Sequence, residues 1–289
     1  MKNIIILIAV LIATACGDVK NESNETESTG ENKAEVKLYV LDGGNILVNK
    51  LELFSEDTTY QGQSKEFADA FYVISHPKGN LMWDAGLPES LVGMPEPFTD
   101  TLGAFTVFRK DSLVNQLKSI NLTVEDFKYI ALSHSHFDHV GHANALKNAT
   151  WLVQESEYNF FTNDSAQTQQ ADIYNMIKDL KNVKKLNGDY DVFGDSTVII
   201  KSMPGHTIGH QVLYLDLGLE QPILLTGDLY HFEENRAQRR VPMFNYDIPE
   251  TKKSMEKFEN FVKRKDANVI IQHSPKDFKR LKLLLKNKK

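Results

Sequence analysis

The chain reads as an α/β protein in which two β-sheets are covered by helices on their outer faces. Three observations carry that reading. Apolar runs of strand length alternate with longer stretches of helical periodicity. The 289 residues, 41% of them hydrophobic, suffice to bury the core of one large domain. Several strand-like runs also end on His or Asp, and in a sandwich such ends would gather at one edge, where a rigid scaffold presents reactive groups.

The first residues read as an address. Lys2 opens a short charged region, Ile4 to Ile12 is an apolar stretch too short for a typical membrane span, and Ala13-Thr14-Ala15-Cys16 closes it. This resembles a bacterial lipoprotein signal over residues 1–16, with cleavage before Cys16 and lipidation of its thiol. Ala13 stands where Leu is usual, so ordinary secretion is the alternative. Either route places the chain outside the cytoplasm, in the periplasm, at the outer membrane or in the medium. Cys16 is the only cysteine, so no disulfide framework exists and the core and any metals must hold the fold. Residues 17–34, rich in Glu, Asn, Ser and Thr, read as a disordered tether, which leaves 35–289 as the folded domain.

Strand-like runs follow at Val36 to Leu41, Phe71 to Ile74, Leu81 to Asp84 and Tyr129 to Leu132. Helical stretches are expected at Ser112 to Ile120, Asp172 to Lys181, Glu250 to Arg264 and Lys276 to Leu285. Between them, Gly86 to Phe108 carries Pro88, Pro95 and Pro97 among Met94, Phe98, Phe105 and Phe108, and reads as an apolar loop too irregular for a strand. Gln154 to Gln170 carries Tyr158, Phe160 and Phe161. Both segments read as pocket walls. The cationic C-terminal segment from Lys276, with Leu281, Leu283, Leu284 and Leu285, reads as packing on the sandwich.

The densest chemical word is His134-Ser135-His136-Phe137-Asp138-His139, directly after the run Tyr129 to Leu132. With 9 His in the chain, such a string arises by chance in on the order of one in two thousand chains of this length. Residues two apart in an extended segment point the same way, so His134 and His136 can close on one cation while Asp138 and His139, at a turn into a helix, face a neighbouring one. Imidazole and carboxylate without nearby thiolate suit an open, catalytic site for Zn²⁺ or a first-row neighbour. The rule that reactive residues follow apolar runs finds the rest: His206 and His210 in Pro204-Gly205-His206-Thr207-Ile208-Gly209-His210, Asp228 after Ile223-Leu224-Leu225-Thr226-Gly227, His273 after Val269-Ile270-Ile271-Gln272, and Asp84 after Leu81-Met82-Trp83.

Taken as a set, these words resemble the metallo-β-lactamase superfamily over roughly residues 36 to 280, and within it the N-acyl-homoserine lactone lactonases, the quorum-quenching enzymes. The resemblance includes Phe137 inside the first motif and the context Leu224-Leu225-Thr226-Gly227-Asp228. It implies an αββα sandwich and two divalent ions, with Zn²⁺ the foremost choice. Carried over by position, His134, His136 and His206 would hold one ion, Asp138, His139 and His273 the other, and Asp228 would bridge them. A dimetal-bridging hydroxide would then open a small-molecule lactone, since paired cations bring the pKa of a shared water toward neutrality. Asp138 or a metal-bound water would deliver a proton to the leaving oxygen. Many of these lactonases carry Tyr three residues after the bridging Asp, where this chain has His231 with Tyr230 one place earlier; the carbonyl-polarising group is therefore Tyr230 or His231. The Gly-Asp-x-x-His word also resembles methyl parathion hydrolases, which keeps phosphotriester or broad ester hydrolysis as the rival. Phe137, Met94 and Phe105 are the candidate substrate contacts.

The remaining candidates take supporting roles. His142 is expected beside the ligands or at the surface, His210 in backbone support, and His76 in no function. Asp84 either orients a ligand histidine or caps its turn. The formal net charge of -6 and the lack of a basic patch near the motifs argue against nucleic acid as partner. Membrane association is expected only through a lipid on Cys16, and the sequence leaves the oligomeric state open, a homodimer included.

Overall fold

The computed structural model describes residues 35–286. The signal and tether read over residues 1–34, Cys16 among them, lie outside the described residues. The eight-stranded sheet contains β1 (Lys37–Val48), β2 (Lys65–His76), β3 (Gly79–Trp83), β4 (Phe98–Thr99), β5 (Phe105–Phe108), β6 (Phe127–Ala131), β7 (Thr150–Gln154) and β8 (Val183–Leu186), in the order β4-β5-β1-β2-β3-β6-β7-β8. The five-stranded sheet contains β9 (Tyr190–Asp191), β10 (Val198–Ser202), β11 (Gln211–Leu215), β12 (Ile223–Leu225) and β13 (Asn268–Ile270), in the order β13-β12-β11-β10-β9. Helices α1 (Leu113–Ser119), α2 (Phe137–Val140), α3 (Glu155–Thr162), α4 (Ala166–Gln169) and α5 (Ala171–Ile177) fall among the strands of the first sheet; α6 (Glu233–Gln238), α7 (Ile248–Lys265) and α8 (Pro275–Lys286) come late in the chain.

Alternation along the strands builds the layers, because successive side chains leave a strand on opposite faces. In β2, Tyr72 and Ile74 join Trp83, Leu152, Ile200, Leu213, Leu225 and Ile270 in the core between the sheets. Their neighbours Phe71 and Val73 face outward with Met82, Ile130 and Trp151 and meet Leu113 and Leu117 of α1. On the far side, Val212, Tyr214 and Leu224 pack against Met255, Phe258 and Phe261 of α7. The order helix, sheet, sheet, helix is the expected αββα sandwich. Leu281 of α8 is fully buried in the inter-sheet core, so the C-terminal segment packs on the sandwich as read.

Two element readings are corrected. The first strand does not stop at Leu41 but runs through Asp42-Gly43-Gly44-Asn45 to Val48, pairing with β2 from Lys37↔Ser75 to Val48↔Lys65 across a register shift at Asp42/Gly44. The glycines look like a turn but serve close approach: a Cβ on Gly43 would lie 2.8 Å from the Cα of Gly86, and Gly44 holds φ +133°. The Gly86 to Phe108 loop also contains strand after all. Phe105–Phe108 pairs with Asn45–Val48, which the prolines upstream of it hid from view.

Candidate metal centre and active site

Strand direction explains where the chemical words meet. β3, β6 and β7 run parallel, as do β12 and β13. β10 is two antiparallel steps from β12 and so shares its direction. The residues that follow β3 and β6 therefore emerge at one edge of the first sheet and those that follow β10, β12 and β13 at one edge of the second, and the side chains they carry come together. Asp84, His134, His206, Asp228 and His273 stand on those exits, His136 stands at the N-terminal end of α2, and Asp138 and His139 lie within that short helix.

The exits form two clusters: His134, His136, His206 and Asp228, and Asp138, His139 and His273. In the first, His134 Nε2 and His136 Nδ1 are 3.0 Å apart, His206 Nε2 lies 3.1 Å from His136 Nδ1 and 3.2 Å from His134 Nε2. In the second, His139 Nε2 and His273 Nε2 are 3.2 Å apart, with Asp138 oxygens 3.9 and 3.7 Å from them. Asp228 faces both. Its Oδ1 lies 3.1 Å from His139 Nε2 and 2.9 Å from His273 Nε2, while Oδ2 lies 3.6 Å from His134 Nε2 and 3.4 Å from His206 Nε2.

The donor set tests whether cations fit. Around a triangle of three mutually contacting nitrogens, hydrogen-bond donors and acceptors cannot alternate, so at least one pair opposes lone pair to lone pair or proton to proton. A cation at the centre takes all three lone pairs and removes the conflict. Burial, reinforced by the neighbouring rings, holds His134 and His136 well below the usual imidazole range, in the neutral form that ligation requires. Burial also pushes His273 down, but the Asp228 and Asp138 carboxylates outweigh it and raise the ring to about 9. A cation there would displace that proton. Asp228 Oδ1, buried and without a well-aligned hydrogen bond, completes the case that the residues fit divalent ions.

The outward nitrogens are pinned, which aims the inward ones. His206 Nδ1 lies 2.8 Å from Asn245 Oδ1, and His273 Nδ1 lies 2.9 Å from the Ala68 carbonyl, to which it donates. His139 Nδ1 sits 3.0 Å from Asp84 Oδ2, so of the two roles open to Asp84 the contact supports the orienting one. Asp84 does more than that: its Oδ1 accepts the Ser133 N–H at 2.6 Å and its Oδ2 the Gln272 side chain at 2.7 Å, from a left-handed backbone (φ 60°). His210 bonds backbone at both nitrogens, Met203 O at 3.0 Å and the Asp228 N–H at 3.0 Å. His142 lies off the clusters, 3.3 Å from Glu89 Oε2, and His76 is remote, 2.8 Å from Asp195 Oδ2.

The clusters floor a pocket of about 340 Å³ whose walls include Ile46, Leu53, Phe54, Phe67, Leu102, Phe105, Phe137 and Phe244. Phe105 and Phe137 also line a neighbouring groove of about 820 Å³, and Met94 lies in that groove rather than over the clusters. His231 lines the metal pocket, with Nε2 3.0 Å from Asp228 Oδ2 and Nδ1 buried without a partner. Burial pushes its ring down to about 4, hence neutral. Tyr230 is a correction. Its backbone is extended (φ −142°, ψ 134°), so it points opposite to His231, into the core under α7 with its ring 5.7 Å from Phe258 and its hydroxyl toward Glu259. It does not reach the pocket. Sequence reasoning missed Asn245, Phe54, Phe67 and Phe244, which belong to no motif and carry no residue type that marks a metal or catalytic role.

Fold and centre together define a class: residues 66–273 match the metallo-beta-lactamase superfamily, and the chain belongs to it. Within that class the chain is 30% identical over 257 residues to the N-acyl homoserine lactonase AttM of Rhizobium radiobacter, covering 83% of this chain and 94% of the relative. It is also 30% identical over 241 residues to an N-acyl homoserine lactonase of a Bacillus species, covering 82% and 92%. Among solved structures, a variant of AiiA from B. thuringiensis with N-decanoyl-L-homoserine bound at its active site superposes with TM-score 0.71 at 26% identity, covering 84% of this chain and 95% of that one.

Proposed function

We propose that the chain opens the ring of N-acyl homoserine lactones by metal-dependent hydrolysis. The observation that carries this reading is a pair of ligand clusters sharing Asp228 at the floor of a pocket with largely apolar walls. Relatives that act on such lactones, at 30% identity over most of the chain, support it. We assign His134, His136 and His206 to one ion, Asp138, His139 and His273 to a second, and Asp228 to both. Zn²⁺ is the ion we assign, because imidazole and carboxylate donors with an open side match its catalytic sites.

Divalent ions held by these residues would supply Lewis-acid polarisation of the lactone carbonyl and a water activated near neutral pH. With Asp228 taken up as a ligand, neutral His231 can turn its single N–H to the carbonyl oxygen, which gains negative charge as water attacks. Asp138, on the pocket wall, takes a proton from the attacking water and returns it to the ring oxygen as the C–O bond breaks. The products are balanced: one water consumed, one acyl homoserine formed. Phe105 and Phe137 stand between pocket and groove, so an acyl chain would pass over them toward Met94, each buried CH₂ contributing about 0.8 kcal/mol.

A second reading, phosphotriester hydrolysis, draws its support from His231 in the place that many lactonases give to Tyr. One panel separates the two: metal-loaded protein assayed on acyl homoserine lactones, a paraoxon-type ester, a cephalosporin and a glutathione thioester. The lactones should give the highest kcat/KM. A higher value for the paraoxon-type ester would overturn the assignment. We also propose export with a lipid on Cys16, on the strength of the Ala13-Thr14-Ala15-Cys16 word. Cys16→Ser should move the protein out of the membrane fraction, and native protein found in the cytoplasm would contradict this.

A further inference from the structure

We infer that Glu157 is the positioning residue that sets how tightly the three-histidine cluster holds its cation, independently of the cluster of Asp138, His139 and His273. The inference rests on the reading above that both clusters bind cations. Glu157 lies in α3, outside every motif, and its side chain is only 2% exposed. Its Oε1 accepts the Ser135 N–H at 2.8 Å and its Oε2 accepts the Gly209 N–H at 2.8 Å.

Those two amides sit on different loops. Ser135 stands between His134 and His136, whereas Gly209 lies three residues past His206 and just before His210, which in turn accepts the Asp228 N–H. One carboxylate therefore ties together the two loops that bring His134, His136 and His206 to a common point. A buried carboxylate that accepts two backbone N–H groups is a strong, charge-assisted tie, and no other side chain spans these loops by two such bonds among the described residues. Packing tightens it further, since a Cβ on Gly209 would lie 2.5 Å from the Glu157 Cβ.

The other cluster is held by different means. His139 is oriented by Asp84 and His273 by the Ala68 carbonyl, and neither contact passes through α3. Loosening Glu157 should thus let the His206 loop drift from His134 and His136, while His139, His273 and Asp228, which stands on the separate exit of β12, stay in place. Loss of an outer support of this kind typically lowers metal affinity about 10- to 100-fold.

The test is calorimetric titration of the metal-free full chain with Zn²⁺. Glu157→Gln keeps the side chain's shape but turns an amide NH₂ toward one of the two N–H donors, breaking one tie. Gly209→Ala leaves the carboxylate intact and pushes the loop off it. In both variants one site should weaken about 10- to 100-fold while the other stays within about threefold of wild type. In a His273→Ala background, where the three-histidine cluster is the intact one, the same drop should recur. Equal weakening of both sites, as a general loss of stability would give, overturns the inference, and so does unchanged binding in both variants. A wild-type chain that takes up no Zn²⁺ would overturn the metal reading itself, a result distinct from either. Should Glu157→Gln fail to fold, Gly209→Ala decides alone.

Discussion

Tyr230 and His231 are adjacent in the chain yet serve different layers, because extended backbone sends consecutive side chains to opposite sides. His231 faces Asp228 across 3.0 Å, and Tyr230 packs under α7. Loss of an oxyanion donor typically lowers turnover about 100- to 1,000-fold, so His231→Ala should lower kcat on a lactone by that order with both ions still bound. Tyr230→Phe should leave kcat within a few-fold of wild type. Steady-state kinetics with metal analysis on the two variants checks both, and the reverse pattern would contradict the placement. Asp84 carries a comparable burden at one remove from the ions. Asp84→Asn preserves the left-handed backbone but gives up one acceptor to Ser133, Gln272 or His139, so zinc affinity should fall about 10- to 100-fold by competition with a chelator.

Helix α7 shows how the elements brace the centre from outside. Its Asp247 cap accepts the Glu250 N–H at 2.8 Å, Pro249 stands in the first turn, and its apolar stripe buries Met255, Phe258 and Phe261 against the second sheet. Phe258 is fully buried beside Tyr230, so Phe258→Ala should cost about 3–5 kcal/mol in chemical denaturation. A smaller effect ties α6 to α7, where Arg236 donates to Glu259 at 2.9 and 3.0 Å. Burial alone would raise the Glu259 carboxyl, but Arg236 outweighs it and holds the group below its ordinary value of 4.5. The pair therefore adds stability above that value and loses it as pH falls through the lower folded value. Between pH 5 and 3, Glu259→Gln should lose less stability than wild type, by under about 1 kcal/mol because the pair is partly solvated. Equal acid sensitivity in the two proteins would remove this pair from the account.

At the scale of the whole molecule, the residues gathered at one sheet edge were legible because metal ligation imposes residue types and spacings, and strand ends announce themselves by apolar runs. The seven residues of the two clusters come from three separate stretches of chain plus His273, and the rule about strand exits found each. What the sequence hid has a physical cause in every case. Gly43 and Gly44 mimic a turn while allowing β1 to pass Gly86. Phe54, Phe67 and Phe244 are ordinary apolar residues until the fold sets them around Asp228, and Glu157 acts on the centre through backbone amides, which leave no mark on residue type. The helix, sheet, sheet, helix order followed from periodicity only once two faces of each sheet had to be covered. The central claim concerns this edge as a unit: two ions, joined by Asp228, make one catalyst. Its most direct test is to add Zn²⁺ stepwise to metal-free protein while following the proton released by ring opening of an acyl homoserine lactone. Activity should rise until two equivalents per chain are bound and level off there, with Asp228→Ala inactive at any loading. Full activity at one equivalent, or turnover retained by Asp228→Ala, would contradict the account.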